Sequence, residues 1–215
     1  EHVMATLQEI SEAVIAGDLP KTVELTNTLL TEGLRPGVII TQGLIPAMNV
    51  VGEKFTNREY YVPDMLISAR AMQGALKILK PLLLESEQQQ LATCVIGTVK
   101  GDLHDIGKNL VSMMLEGAGF SVVDLGGDVD IHRFVEAIKD NQAQIVGLSA
   151  LLTTTMTVMK DVIAALEEAG IRDKVKVIIG GAPVTKKYAE EIGADGYAED
   201  APTGVKVAKS LLGLN

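Results

Sequence analysis

The feature that most constrains this 215-residue chain is a change of hydrophobic rhythm near residue 90. Before it, apolar residues recur at helical spacing. After it, short apolar, β-branched runs alternate with amphipathic stretches. These two patterns belong to different secondary structures, so the chain carries two architectures in series.

In the first part, Leu7, Ile10, Val14 and Ile15 share one helical face. Leu19-Pro20 opens a second helix, because proline is favoured in a first turn, and Gly33 ends it. Pro36 opens a third that runs to about Phe55, with Gly43 and Pro46 as expected irregularities. A fourth runs from about Pro63 to Leu84, where Leu66, Ala69, Met72, Leu76, Leu79 and Leu83 keep the i, i+3, i+4, i+7 rhythm. Four helices with short connections predict a small bundle over residues 1–84. ESEQQQ, residues 85–90, is polar and without apolar periodicity, and reads as a linker.

From residue 91 to 215 the pattern is β-α alternation. LATCVIGTV, FSVVDLG, AQIVGLSA, VKVIIGG and ADGYA have strand character, and stretches such as VMKDVIAALEEAG lie between them. Regular alternation predicts a parallel sheet with helices on both faces. Five strands in a Rossmann-like, flavodoxin-like domain predict the order 2-1-3-4-5, with ligands beyond the carboxyl ends of strands 1 and 3. The loop VKGDLHDIG after strand 1, the loop SALLTTT (residues 149–155) after strand 3 and the pair Gly180-Gly181 should then converge on one edge.

Composition excludes several classes of function. Hydrophobic residues make up 47% and aromatics 3%, with no tryptophan, so the core must be aliphatic. A net charge of −9 argues against nonspecific nucleic-acid binding, which needs a basic surface. A single cysteine, Cys94, precludes an internal disulfide and suits a reducing cytosol. No apolar run reaches the ~18 residues of a membrane span, and no signal-peptide pattern is present. A cytoplasmic protein with neither nucleic acid nor membrane as partner is expected.

His104, within GDLHDIGKNL, admits several readings. A phosphate loop needs G-x-x-x-x-G-K-[ST], but five residues separate Gly101 from Gly107, Asn109 follows Lys108, and Asp102 and Asp105 would repel phosphate. A receiver domain would end strand 3 in aspartate, where this chain has Ser149. A zinc site needs three or four ligands, which His104, Asp102 and a remote His132 do not supply. A nucleophilic triad lacks its nucleophile, since Cys94 falls inside a strand. The plain alternative is a surface loop in which Asp105 begins a helix. His132, at the start of the helix after strand 2, reads as solvent-facing, and His2 as part of a disordered terminus.

Asp102-x-His104-x-x-Gly107, Ser149-x-Leu151 and Gly180-Gly181, in that order and spacing, resemble the signature of cobalamin-binding domains. The stretch is similar to the cobalamin module of methionine synthase. The whole chain resembles more closely the corrinoid proteins of three-component methyltransferase systems, which carry a helical cap before the Rossmann-like domain. Cap resemblance rests on AMNVVGEKF and YYVPDMLISARAM, residues 47–55 and 60–72.

The resemblance implies a cobalamin or related corrinoid bound base-off and His-on. Its benzimidazole tail would leave cobalt for a slot in the protein, and His104 would take the vacated axial position as metal ligand. Asp102 would orient His104, with Thr155 completing a proton relay where the methionine synthase module has a serine. Gly101, Leu103, Asp105, Ile106 and Gly107 would complete the cofactor-binding loop. Ser149, Leu151 and Thr153 would line the tail slot, Gly180 and Gly181 would admit the nucleotide, and Tyr197 and Ala201 would close it. The cap would cover the methyl-bearing face, with Phe55, Tyr60, Tyr61, Met65 and Met72 as candidates. Ordinary bundle core is the alternative for those five, and an ordinary strand-to-helix turn for the glycine pair.

The implied function is a methyl carrier, not an enzyme active alone. A substrate:corrinoid methyltransferase would load the cobalt, and a second methyltransferase would pass the methyl to tetrahydrofolate or coenzyme M. A reductive activator would be a further partner. Methanol, methylamines, methoxylated aromatics and betaines all remain possible donors. The alternatives are a cobalamin-dependent sensor or regulator, or a fragment of a methionine synthase.

Overall fold

The computed structural model describes residues 5–83 and 90–214. His2, Leu84 and residues 85–89 of the expected linker lie outside the described residues. The described residues form two compact units. One is N-terminal and takes in Gly117–Gly119; the other comprises Gln90–Glu116 and the chain from Phe120 on.

Among the described residues, the regular structure of the N-terminal unit is all helical. α1 (Leu7–Ile15) starts with a capping box: Thr6 Oγ1 accepts from Glu9 N, and Glu9 accepts from Thr6 N. α2 (Leu19–Thr31) is capped by Asp18 and has proline in its first turn. α3 (Pro36–Val38) runs through a π-helical stretch, Ile39–Leu44, into α4 (Ile45–Thr56). The expected irregularity thus takes the form of a π turn just before Pro46, whose missing N–H and ring disfavour regular α-helix there. α5 (Val62–Leu79) stops short of the expected Leu84. Pro81 cannot donate to the helix ladder, and the chain tightens into a 3-10 turn, Lys80–Leu82. Ile10, Val14, Leu29, Ile39, Leu44, Met65, Met72 and Leu79 are among the unit's fully buried side chains.

The C-terminal unit holds a five-stranded sheet: β1 (Thr93–Thr98), β2 (Ser121–Asp124), β3 (Ile145–Ser149), β4 (Lys176–Gly180) and β5 (Gly196–Ala198). All pairings are parallel and the order is β2-β1-β3-β4-β5, as the alternation predicts. β1 and β4 are buried almost end to end, which suits a sheet covered on both faces. The intervening helices are α6 (Ile106–Gly117), α7 (Ile131–Asp140), α8 (Thr153–Met156), α9 (Val158–Glu168), α10 (Lys186–Ile192) and α11 (Ala201–Leu211). The buried hydrophobic side chains of this unit are non-aromatic apart from Phe120 and Phe134. Cys94 is buried within β1, and desolvation pushes its thiol up to about 12.

One local expectation changes. Residues 149–155 are not wholly loop: Thr153–Met156 form the short helix α8. Thr155 is therefore presented from a helix, and it is buried.

Candidate functional site

β1 and β3 end side by side, with Thr98 paired to Ser149. Past that point the two chains stay linked, Val99 N donating to Ser149 O at 3.0 Å. The chain after β1 then turns back through Gly101 at φ +85°, a left-handed conformation that favours glycine. Thr98 Oγ1, buried at the strand end, donates to His104 O at 2.9 Å and fixes the far side of the turn.

Asp102 lies at the centre. Its side chain is fully buried, whereas that of His104 is 53% exposed. Oδ1 accepts from His104 N at 3.0 Å and meets His104 Nδ1 at 2.8 Å. Oδ2 accepts from Leu151 N at 2.8 Å and from Thr155 Oγ1 at 2.6 Å. Burial by itself would raise the Asp102 carboxyl. The hydrogen bonds from Thr155, Leu151 and His104 overcome it and hold the group well below the usual carboxylate range. An ionised carboxylate can only accept, so Nδ1 of His104 donates to it, and Nε2 is the ring nitrogen left without a partner among the described residues. The loop thus presents one oriented imidazole nitrogen. Leu103, Ile106 and Leu151, all exposed, lie in the same two segments.

Asp102, His104 and Thr155 are brought together as the sequence reading requires, across 53 positions of chain. Asp105 precedes α6 and accepts from Asn109 N through its carbonyl at 2.7 Å. Gly107, in the first turn of α6, is exposed, and an added Cβ would meet nothing within 4 Å. Ser149 is half-buried at the end of β3, and Thr153 is exposed at the start of α8.

Gly180 and Gly181 follow from the fold itself. A Cβ on Gly181, at φ +125°, would lie 1.8 Å from Ala150 O, and one on Gly180 would lie 2.8 Å from Ala198 O. Both glycines are needed for the chain's own backbone to pass, with or without a ligand. Tyr197 is half-buried in β5, and Ala201 is buried at the start of α11, next to the sheet edge away from β1. Met65 and Met72 belong to α5 and are buried, while Phe55 and Tyr60 are partly buried and Tyr61 is exposed. Tyr60 donates its hydroxyl to Ile15 O. His132 is exposed in the first turn of α7, as expected.

The sequence reading missed two groups. Lys108 is buried and bonds Asp124 at the end of β2. Asp128, at φ 51°, accepts from Gly101 N at 2.8 Å. Lys108 sits on the α6 face that carries Val111 and Leu115, so helical periodicity could have marked it as buried. Among the described residues, no group of three or more His, Cys, Asp or Glu side chains could hold a metal ion.

Two family models match, each a B12 binding domain: one over residues 92–206 and one over residues 6–80. The dimethylamine corrinoid protein 3 of Methanosarcina acetivorans is 44% identical over 206 residues, covering 96% of both chains. The trimethylamine corrinoid protein of Methanosarcina barkeri is 42% identical over 217 residues, covering 98% of this chain and all of that one. Among solved structures, the methanol:cobalamin methyltransferase complex of M. barkeri contains a similar chain. It has a TM-score of 0.87 and 29% identity, and the match covers 96% of this chain and 79% of that one.

Proposed function

The chain belongs to the corrinoid proteins, built from B12-binding domains, and from that premise we propose that it carries a methyl group on cobalt between two methyltransferases. The observation that carries this reading is the Thr155–Asp102–His104 chain of hydrogen bonds, which ends in a free Nε2. The donor set fits a corrinoid. A corrin ring brings its own equatorial nitrogens and leaves the protein an axial position, and the described residues offer one oriented imidazole rather than a multi-ligand cluster.

When bound, the corrinoid cobalt supplies the bond that the methyl group makes and breaks. The remaining work belongs to the chain. His104 would hold the cobalt through Nε2, in place of the cofactor's own base. Asp102 holds the Nδ1 proton and so fixes both the tautomer and the ring direction, an outer-shell arrangement common among metal-bound histidines. Thr155 and the Leu151 N–H occupy the other carboxylate oxygen, so the charge that steadies His104 is itself held from α8 and from the turn that joins β3 to it. Gly101, Leu103, Asp105, Ile106 and Gly107 contact the cofactor around the histidine.

Ser149, Leu151 and Thr153 line the slot for the displaced tail, with Gly180, Gly181, Tyr197 and Ala201 farther along it. The relatives named for dimethylamine and trimethylamine support a methylated amine as donor, delivered by its own methyltransferase. The acceptor step, to coenzyme M or tetrahydrofolate, belongs to a second methyltransferase, and a reductive activator keeps the cobalt competent.

The test is reconstitution of wild type and His104→Ala with hydroxocobalamin. The visible spectrum of the variant should shift to that of a cofactor without axial histidine, and wild type loaded with methylcobalamin should donate its methyl to a partner methyltransferase. Identical spectra would remove the ligand assignment, and a methyl group that no partner can remove would leave a cobalamin-binding protein with another role.

A further inference from the structure

Lys108 and Asp102 are the only Lys, Arg, Asp or Glu residues that are buried among the described residues, and they flank the histidine loop on either side. The Lys108 side chain is 2% exposed. All its protons are used: Nζ donates to Asp124 Oδ1 at 2.7 Å, to Asp124 Oδ2 at 2.6 Å and to Asn109 Oδ1 at 2.6 Å. Nothing in the assigned site accounts for a buried cation at this position.

From Asp124 the hydrogen bonds continue through the chain between β2 and α7. Asp124 Oδ1 also accepts from Gly126 N at 2.9 Å, and Gly126 O accepts from Thr98 N at 2.9 Å. Two residues on, Asp128 is held in the left-handed region at φ 51°. That conformation costs a non-glycine residue energy, although aspartate tolerates it better than most. In it, Asp128 N donates to Asp102 O at 2.7 Å and Oδ1 accepts from Gly101 N at 2.8 Å. A Cβ on Gly127 would lie 3.4 Å from both Asp102 O and Leu103 Cα, so the two loops meet backbone to backbone.

The contacts close a ring. Lys108 grips the chain just after the histidine, Asp128 grips it just before, and Asp124–Gly126 join the two grips. We propose that Lys108 is a positioning residue: through Asp124 and the β2–α7 loop it sets where His104 stands relative to cobalt. This inference rests on His104 being the axial ligand. It assigns to the β2–α7 loop a part in ligation that no side chain of that loop plays directly.

The test compares wild type, Lys108→Met and Lys139→Met, all reconstituted with hydroxocobalamin and then reduced to the cob(II) state. Lys139 is an exposed lysine of α7 and serves as the control. The readout is the nitrogen hyperfine pattern of the axial ligand by electron paramagnetic resonance, alongside the far-ultraviolet circular dichroism of each protein. Lys108→Met should keep its secondary structure and bind corrinoid, while the ratio of histidine-coordinated to uncoordinated cobalt falls about tenfold, the scale of outer-shell changes at metal sites. Lys139→Met should match wild type.

If Lys108→Met does not fold, Asp124→Asn, which retains the cation and removes the opposing charge, carries the same measurement and the same expectation. A wild-type ratio in a folded Lys108→Met or Asp124→Asn overturns the proposal. Absence of axial nitrogen in wild type itself overturns the histidine assignment instead, so the two failures are distinct.

Discussion

In the helical unit the buried polar side chains are hydroxyls, Thr22, Thr26 and Ser68, and each donates to a main-chain carbonyl. In the sheet unit they are Thr98, Asp102, Lys108 and Thr155, two of them fully charged, and three of the four bond to other side chains. Both sets satisfy the rule that buried polar groups find partners. They differ in what the partners do. A threonine returning its proton to the preceding turn adds little beyond avoiding an empty donor. A carboxylate that accepts from two loops makes the position of each depend on the other. The same unit also spends its one left-handed aspartate, Asp128, at this point. Charge buried at the strand ends therefore ties together the loops of the proposed site, whereas buried hydroxyls in the bundle serve packing.

The sharpest way to break that contrast is truncation. Asp102→Ala leaves the His104 N–H and the Leu151 N–H without their acceptor, and leaves the Thr155 hydroxyl only Leu152 O. At ~1–3 kcal/mol for each donor left unmade inside the protein, a loss of about 3 kcal/mol or more is expected in chemical denaturation. Thr26→Val in the bundle should cost under about 1 kcal/mol, because donor and methyl volume are exchanged almost in place. Equal costs would mean that the two units bury polarity for the same reason.

Acid gives a second, smaller separation. Asp102 titrates below the usual range when folded, while in the unfolded chain an aspartate titrates near ~3.9. As pH falls through the unfolded value, the unfolded chain takes up a proton that the folded protein refuses, and stability drops. The contribution is fully present above about pH 5 and is lost progressively below it. Denaturation curves of the cofactor-free protein between neutral pH and about pH 3 should therefore show a steeper acid loss for wild type than for Asp102→Asn. Parallel curves would show that this carboxylate carries no special coupling to folding.

The smallest effect has the opposite sign. Gly107 is exposed in the first turn of α6 with open space around its Cα, so the fold has no need of a glycine there. Gly107→Ala should stabilise the cofactor-free protein by about 0.5–1 kcal/mol through helix propensity. If the site lies where we propose, the same methyl group should weaken corrinoid binding, read by titration with hydroxocobalamin. Stabilisation with unchanged affinity would take Gly107 out of the site.

The course of the chain was largely legible in advance because it is written in short-range pattern. β-branched runs such as Val95–Ile96 and Val177–Ile179 gave the strands, and their alternation with helices fixed a parallel sheet and its order. Asp102, His104 and Thr155 were legible through family resemblance, not through spacing, since Asp102 and Thr155 lie 53 positions apart. Features set by the register of strand ends were not legible. The pairing of Lys108 with Asp124 spans 16 positions and depends on where β2 stops. The turn of helix at Thr153–Met156 was hidden because TTTM, rich in β-branched residues, has weak helical propensity. The glycine pair taught a different lesson. Its sequence signal was correctly placed, yet Ala150 and Ala198 already supply a reason for it within the fold.

The burial of Cys94 has a consequence for ligand competition. Thiolate is a strong ligand for soft and borderline metals, and it would contend with imidazole for any exposed cobalt. The chain has one cysteine, sealed inside β1 with its thiol pushed up to about 12, so near neutral pH it presents essentially no thiolate of its own. The imidazole proposed as ligand therefore meets no thiolate rival from this chain.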